Sequence, residues 1–226
     1  MIRFLQGVSI FKEFNETQLS MVADLVKTRM LKKGTHIFFQ DEPMREVFIL
    51  ESGVVKIYQV ELSGKEQIIN ILNKDAMFPH RGIFEETKYP ANAVVYEDAR
   101  ILCFEVNDFW DLLMQYPGMS MAVMKIQNKM ITELLSRLNE KMMHDTREQV
   151  IKLLLRLTKS HGQKIKHDEY KLMISFTNQE LANMIGSSRE TINRTLTNLK
   201  KQELIYEAED GKLVIHQEGI QEEILY

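Results

Sequence analysis

A single cysteine, Cys103, is all the thiol chemistry this 226-residue chain can offer. One thiol excludes an intramolecular disulfide and any four-cysteine cluster supplied by one chain, and it fits a reducing cytoplasm. Its neighbours Ile101, Leu102 and Phe104 mark it as a buried small hydrophobe rather than a sensor. Long apolar runs are also missing. Nothing approaches the roughly 20 residues of a membrane-spanning helix. The opening MIRFLQGVSIFKEF is too broken by polar side chains to form a signal-peptide core. A cytoplasmic chain with no membrane partner is the expectation. Positive charge is not in excess either, with 29 Lys and Arg against 32 Asp and Glu for a net charge of -3. That argues against a general nucleic-acid coat, whereas a sequence reader needs only a local basic patch. There is no phosphate-cradling Gly-rich loop, no His-Glu-x-x-His pair and no Cys/His metal spacing. The six histidines are scattered at 36, 80, 144, 161, 167 and 216, and Asp168-Glu169 beside His167 reads as solvated surface. No enzyme activity and no metal site are expected.

The length suits one large or two small domains. Residues 1–30 read as short helices, the clearest capped by Asn15 and striped by Leu19, Val22, Leu25 and Val26. From Lys33 to about Val106 the hydrophobic period changes to two. Short strands are expected at 35–39, 46–50, 54–60, 67–72, 93–96 and 100–104. Gly34, Asp41-Glu-Pro43, Glu51-Ser-Gly53 and Asn73-Lys-Asp75 punctuate them, and Leu62-Ser-Gly-Lys65 reads as a hairpin tip. Many short strands with tight turns indicate a sandwich, roll or barrel. Asp108 reads as the cap of a helix through Met114. From Pro117 to about Met143 the pattern is one long helix, with an apolar stripe of Val123, Ile126, Met130, Ile131, Leu134, Leu135, Leu138 and Met142. A helix this long in a chain this size rarely packs only on its own domain, so the stripe reads as a homodimer seam. His144-Asp-Thr-Arg147 breaks the pattern, Thr146 can cap a new helix, and a domain boundary is expected near residue 145. Lys159 to Lys171 reads as a polar surface loop and Tyr170 to Phe176 as a short strand. Leu204–Tyr206 and Lys212–Ile215 flank Ala208-Glu-Asp-Gly211 as a β-hairpin.

Between these lies Thr177 to Lys201, TNQELANMIGSSRETINRTLTNLKK. Thr177…Glu180 and Ser187…Glu190 both read as capping boxes, the first at the start of one helix and the second at the start of another. Gly186 stands where the first helix ends and the chain must turn. Helix, tight turn, helix, with a following hairpin, is the layout of a winged DNA-reading motif. On a wheel of 188–201, Ile192, Leu196 and Leu199 fall on one side. Glu190, Asn193, Arg194, Thr197 and Lys201 fall on the other, with Arg189 in the first turn. These groups suit major-groove edges: Arg on guanine, Glu on cytosine, Asn on adenine. Thr177 is placed to meet a phosphate. The site residues are therefore Thr177, Ser188, Arg189, Glu190, Asn193 and Arg194, on double-stranded DNA.

These residues, Gly186-Ser-Ser-Arg-Glu-Thr-Ile-Asn-Arg194 preceded by Thr177-Asn-Gln-Glu-Leu-Ala182, resemble the helix-turn-helix signature of the cyclic-AMP receptor protein/FNR family of bacterial transcription regulators. The resemblance spans the chain. It implies an α+β architecture with an antiparallel, jelly-roll-like β-roll of the cyclic-nucleotide-binding type over 1–115. A long dimerisation helix over 116–144 and a winged helix-turn-helix over 145–226 follow. It implies base reading by Arg189, Glu190 and Arg194, phosphate contact by Thr177, and a homodimer through helix 117–143 on a two-fold related site. RNA polymerase is the further partner that activation would need.

The sensory half departs from the family. Pro79-His80 stands where cyclic-AMP binders carry Gly-Glu for the ribose, and Pro90-Ala91 where they carry Arg-Ser for the phosphate. Glu133-Leu134 replaces the Thr-Ser that meets the purine. A buried phosphate without its Arg would be stranded at a cost of several kcal/mol, so cyclic AMP is not expected as ligand. The N-terminal cysteines of the iron–sulfur sensors are missing, and haem is not expected with His80 as the lone pocket histidine. The roll is left to sense an unknown small effector or none, with His80, Arg81, Asn92, Met130 and Glu133 as the pocket residues. An effector there would shift the long helices at the seam and, through a hinge near Asp145–Thr146, the two recognition helices. The competing reading is a ligand-binding or scaffolding module whose C-terminal domain contacts protein rather than DNA.

Overall fold

The computed structural model describes residues 1–79 and 88–224. The chain divides into two compact units, Met1–Leu134 and Leu135–Tyr226. In the first, α1 (Ile2–Leu5), a 3-10 turn (Ser9–Phe11) and α2 (Glu16–Leu25) lead into β1 (Lys27–Leu31), β2 (His36–Phe38), β3 (Glu46–Val60), β4 (Glu66–Leu72), β5 (Met77–Phe78) and β6 (Asn92–Glu105). After these come α3 (Val106–Gln115) and α4 (Pro117–Met143). All pairings are antiparallel, in the order β1-β6-β3-β4 with β2 on β6 and β5 on β3. The alternation in sequence becomes two cores. Val47, Ile49, Leu102 and Phe104 face α2, α3 and the start of α4, whereas Phe48, Leu50, Ile101 and Cys103 face the opposite interior. Each such side chain taken fully out of water contributes about 1.5–3 kcal/mol. Cys103 is buried, and burial pushes its thiol up to about 11, which keeps it protonated at neutral pH.

Several boundaries differ from the sequence reading. Residues 27–31 form an edge strand instead of helix. Its charges, Lys27 and Arg29, pair with Glu105 and Glu46, so it shows no alternating pattern. The strands expected at 46–50 and 54–60 are one strand, as are those at 93–96 and 100–104. Gly53 is a bulge rather than a turn. Its φ is +89°, and a Cβ there would lie 2.3 Å from Asp98 O, so only glycine lets the strand pass. The Leu62–Lys65 tip does join β3 to β4. The helix after β6 begins at Val106, placing Asp108 inside its first turn rather than at its cap.

The second unit holds α5 (Thr146–His161), β7 (Gly162–Lys164), β8 (Glu169–Leu172), α6 (Asn178–Ile185), α7 (Arg189–Lys201), β9 (Ile205–Glu207), β10 (Leu213–His216) and α8 (Gln217–Glu222). Its sheet runs β7-β8-β10-β9. Asp145, not Thr146, caps α5: its carboxylate accepts from Glu148 N, and Glu148 closes the box onto Asp145 N. Residues 159–171 are not one loop. They finish α5, form β7, turn over 165–168 and start β8, which ends at Leu172. Polarity there signals exposure, but backbone pairing of β8 to β10 makes the strand. Val150, Ile151, Leu154, Ile192, Leu196, Leu199 and Ile215 are among the side chains that fill the core.

The apolar stripe of α4 separates into two faces. Val123 is buried and Ile126 packs against the roll. Met124, Ile131, Leu135, Leu138 and Met142 are 53–73% exposed and follow one another at spacings of seven, four, three and four, the spacing that coiled-coil seams use.

His161, at the end of α5, is buried against the Phe176 edge, and its Nε2 has no hydrogen-bond partner among the described residues. Burial pulls its pKa from 6.5 down to about 4. The unfolded chain protonates near 6.5 and the folded chain only near 4. Stability therefore falls as pH drops through that window, by at most about 3 kcal/mol. Denaturant titrations at pH 7 and pH 4.5 should show His161→Leu losing less stability than wild type. Equal losses in the two proteins would contradict this.

Candidate nucleic-acid interface and effector pocket

Thr177 caps α6 as expected. Its Oγ1 accepts from Glu180 N at 3.2 Å, and the Glu180 carboxylate accepts from Thr177 N at 2.9 Å. The Thr177 hydroxyl also donates to that carboxylate, leaving the amides of Asn178 and Gln179 as the first-turn donors for an anion. Gly186 ends α6 in the left-handed region at φ 67°, ψ 39°, where a side chain would be strained. Ser187 does not cap the next helix. Its amide closes the end of α6 on Ala182 O, so α7 starts one residue later. Ser188 is its cap, accepting from Thr191 N at 3.1 Å, and no box forms with Glu190.

Ile192, Thr195, Leu196 and Leu199 bury one side of α7, and Arg189, Glu190, Asn193, Arg194, Thr197 and Lys201 are exposed. The six sequence-predicted residues thus come together around α7 and the first turn of α6. Among the described residues, Glu190 and Arg194 do not pair with each other, and Arg189 has no acidic partner. Lys200 ties α7 to the wing through Glu207, at 2.5 Å. From Thr177 to Lys201, Arg189, Arg194, Lys200 and Lys201 outnumber Glu180 and Glu190.

One participant escaped the sequence. Asn178 Nδ2 donates to Asn193 Oδ1 at 3.1 Å, joining the supporting helix to the reading face. The only advance signal was its place directly after a cap. The C-terminal turns of α4 belong to this unit as well. Lys141 Nζ donates to Ile185 O at 3.0 Å, at the helix-turn-helix corner, and Glu140 pairs with Arg156. His144 Nδ1 meets Glu148 at 2.7 Å, and Lys152 Nζ donates to His144 Nε2 at 2.6 Å.

In the first unit a cavity of about 440 Å³ lies between the sheet and α4, within the usual size range of ligand sites. Phe38, Ile57, Ile69, Leu72, Phe78, Pro79, Pro90 and Ala91 line one side, and Gln127, Met130, Ile131 and Leu134 of α4 the other. Gln59 and Asn70 add amides, already engaged in part: Gln59 Nε2 donates to Pro90 O at 2.8 Å, and Asn70 Oδ1 accepts from Ile71 N at 2.9 Å. No charged side chain is among the described lining residues. Of the pocket residues expected from the sequence, Met130 lines this cavity, whereas Asn92 and Glu133 do not. Asn92 is buried off the cavity, its oxygen accepting from Gln40 N and its nitrogen donating to Tyr58 O. Glu133 is exposed on the side of α4 opposite the seam. His80 and Arg81 lie outside the described residues. Sequence reasoning missed the aromatic and aliphatic lining because it comes from six separate segments. Among the described residues, no three His, Cys, Asp or Glu gather as metal ligands, and no helix is long and apolar enough to cross a membrane.

Comparison with known proteins agrees with both units. Residues 28–116 match the cyclic nucleotide-binding domain family and 148–219 the Crp-like helix-turn-helix domain family, together most of the chain. The anaerobic regulatory protein of Bacillus subtilis is 28% identical over 189 residues, 83% of this chain and 79% of that protein. The cyclic AMP receptor protein of Thermus thermophilus is 21% identical over 222 residues, 98% and 99% of the two chains. Among solved structures, the c-di-GMP responsive global regulator CLP of Xanthomonas campestris shares the fold with a TM-score of 0.75 at 18% identity, over 89% of this chain and 99% of its own. Roll, long helix and winged helix-turn-helix, with these relatives, place the chain in the Crp/Fnr family of DNA-binding transcription regulators.

Proposed function

We propose that the chain acts as a homodimer joined along α4, reading a two-fold related duplex with two copies of α7. In this reading its roll senses a small, uncharged, largely apolar effector and not cyclic AMP. The exposed seam supports the dimer, since Met124, Ile131, Leu135, Leu138 and Met142 form one apolar line along an otherwise polar helix face. The observation that carries the effector reading is the cavity wall. Pro79, Pro90 and Ala91 line it, at the places where the family resemblance puts the ribose and phosphate partners of a nucleotide, and no cation is among the described lining residues. A phosphate moved into such a wall loses hydration with no compensating charge among the described lining residues. A single buried cysteine supports leaving iron–sulfur clusters aside.

The effector would touch Met130, Ile131 and Leu134, and Ile131 also belongs to the seam. Occupancy would thus bias how two α4 helices pack. Lys141 and Glu140 would carry the change to the Ile185 corner and to α5. Groove binding by a dimer requires recognition helices about one DNA turn apart, ~34 Å, so a small change at the seam has a large effect on affinity. An activating output would further require contact with RNA polymerase.

Titration calorimetry of the purified dimer with cyclic AMP should give no binding up to about 1 mM, where a compensated phosphate site would reach micromolar affinity, ~4 kcal/mol tighter. Micromolar binding would overturn the effector reading and leave the DNA reading untouched. A gel shift with a pseudo-palindromic duplex tests the latter.

A further inference from the structure

The exposed line of α4 takes one step of seven, from Met124 to Ile131. Asn128 divides it, four residues after the first and three before the second, and it is exposed like both. With Asn128, and with exposed Met121 in front, the line runs 121, 124, 128, 131, 135, 138, 142. Its steps alternate between three and four without a break. In a coiled coil that alternation fixes the frame. Met121, Asn128, Leu135 and Met142 take position a, and Met124, Ile131 and Leu138 take position d. Asn128 is the polar member of this seam. The flanks set no pairing of their own. Positions e hold Lys125, Thr132 and Asn139, positions g hold Gln127, Leu134 and Lys141, and no acid stands among them to meet a lysine across the seam. Leucine at an a position beside isoleucine at a d position, as in Leu135 and Ile131, is a combination that favours more than two strands.

We propose that Asn128 sets the register of the seam, and that its partner is Asn128 of a second copy of this chain in a parallel pair. The inference rests on α4 being the dimer seam. In a parallel, in-register pair each a residue meets its own symmetry mate. A primary amide both donates and accepts, so two Asn128 side chains satisfy each other there. Antiparallel pairing, or a slip of one heptad, sets the amide against an apolar side chain of the seam, where it has neither water nor a partner. Its own chain supplies no substitute. Among the described residues the bond recorded at Asn128 is to its carbonyl, from the Thr132 hydroxyl at 3.0 Å, and the side-chain amide bonds to nothing. The polar layer weakens association and in return admits one arrangement of two chains. A duplex with half-sites one turn apart accepts one spacing of its reading helices, and a fixed register supplies it.

Asn128→Leu separates strength from register. The position is exposed in the single chain, so leucine leaves the fold intact. It packs against any residue of the seam, so association should be as tight as in wild type or tighter while the choice of arrangement is lost.

Spin labels on Lys129→Cys or Ser136→Cys, one heptad apart at the outward position b, report the arrangement in the full-length protein. Cys103, buried and protonated, stays unlabelled. Wild type should give one narrow interlabel distance, of the same length at both sites. An antiparallel pair makes the two distances unequal, and a slip of one heptad offsets both by ~10 Å along the axis. In Asn128→Leu the distances should split into several, or sedimentation should find assemblies larger than a dimer. Unequal, offset or multiple distances in wild type overturn the proposal. So does Asn128→Leu with the wild-type distance and stoichiometry, or with weaker association. A wild type that is monomeric at the labelling concentration overturns the seam itself and this proposal with it, which is a distinct result.

Discussion

Arg189→Ala is expected to lower affinity for a two-fold duplex by about 2–6 kcal/mol, roughly 30-fold to 10⁴-fold, because each dimer loses the same contact twice. Arg189 is the first residue of α7, directly after the Ser188 cap. A cation there opposes the positive end of the helix dipole and costs the fold about 0.3–1 kcal/mol. Among the described residues no acid neutralises it, and Glu190 and Arg194 stay apart although a turn of helix would let them pair. A local rule broken without a structural gain marks a functional position. The guanidinium is exposed and has no ion pair among the described residues, so it would reach the groove without first breaking one, and its forked donors match guanine O6 and N7. Two readouts should move in opposite directions in Arg189→Ala. Thermal stability holds or rises slightly, and duplex binding falls with loss of discrimination at one base. Arg189→Lys should rescue little, since a point charge does not reproduce the fork. By contrast, Lys201→Ala should weaken all sequences alike and lower the salt slope by about one. Binding by Arg189→Ala as tight and as selective as wild type would refute the placement of α7 in the groove.

The reading end was legible in the sequence because its signals are local. Thr177 and Glu180 are three residues apart, Gly186 answers to its own φ, and the wing is a short hairpin. Even there the start of α7 slipped by one residue, because closing α6 consumed the Ser187 amide, a demand that tertiary geometry sets. Sheet boundaries failed where a bulge keeps a strand going through a glycine, as at Gly53. They failed too where pairing alone makes a strand, as in β1 and β7. The cavity of the roll was the least legible part. Phe38, Ile57, Ile69, Pro90 and Met130 meet only after folding, and none carries a pattern that names the others. Asn92 looked like a polar pocket residue from its place in the chain. In the fold its amide is spent on two backbone groups, as buried amides must be. Asn178 was invisible for the same reason, since its partner lies fifteen residues away across a helix crossing.

Leu138→Asp should convert the dimer to a folded monomer and reduce affinity for a two-fold duplex by about a hundredfold or more. Leu138 is about half exposed in a single chain, so an aspartate costs the isolated fold little. In a paired seam the position is repeated by symmetry, and two leucines worth about 1.5–3 kcal/mol each in burial give way to two like charges. α4 spans 27 residues, ~40 Å at 1.5 Å per residue. It shows one apolar line at coiled-coil spacing, with Met124 and Met142 near its ends. Glu133 lies on the opposite side of α4 from that line, so Glu133→Lys changes charge equally sharply without entering the seam. Sedimentation at micromolar concentration should find Glu133→Lys dimeric and Leu138→Asp monomeric, both with wild-type helix content by circular dichroism. A monomer retains α7 intact and still contacts one half-site, so its binding should persist with the same base preference at reduced strength. Such an outcome separates loss of the second half-site from loss of reading. A Leu138→Asp protein that remains dimeric and binds like wild type would place the seam on another face of the molecule.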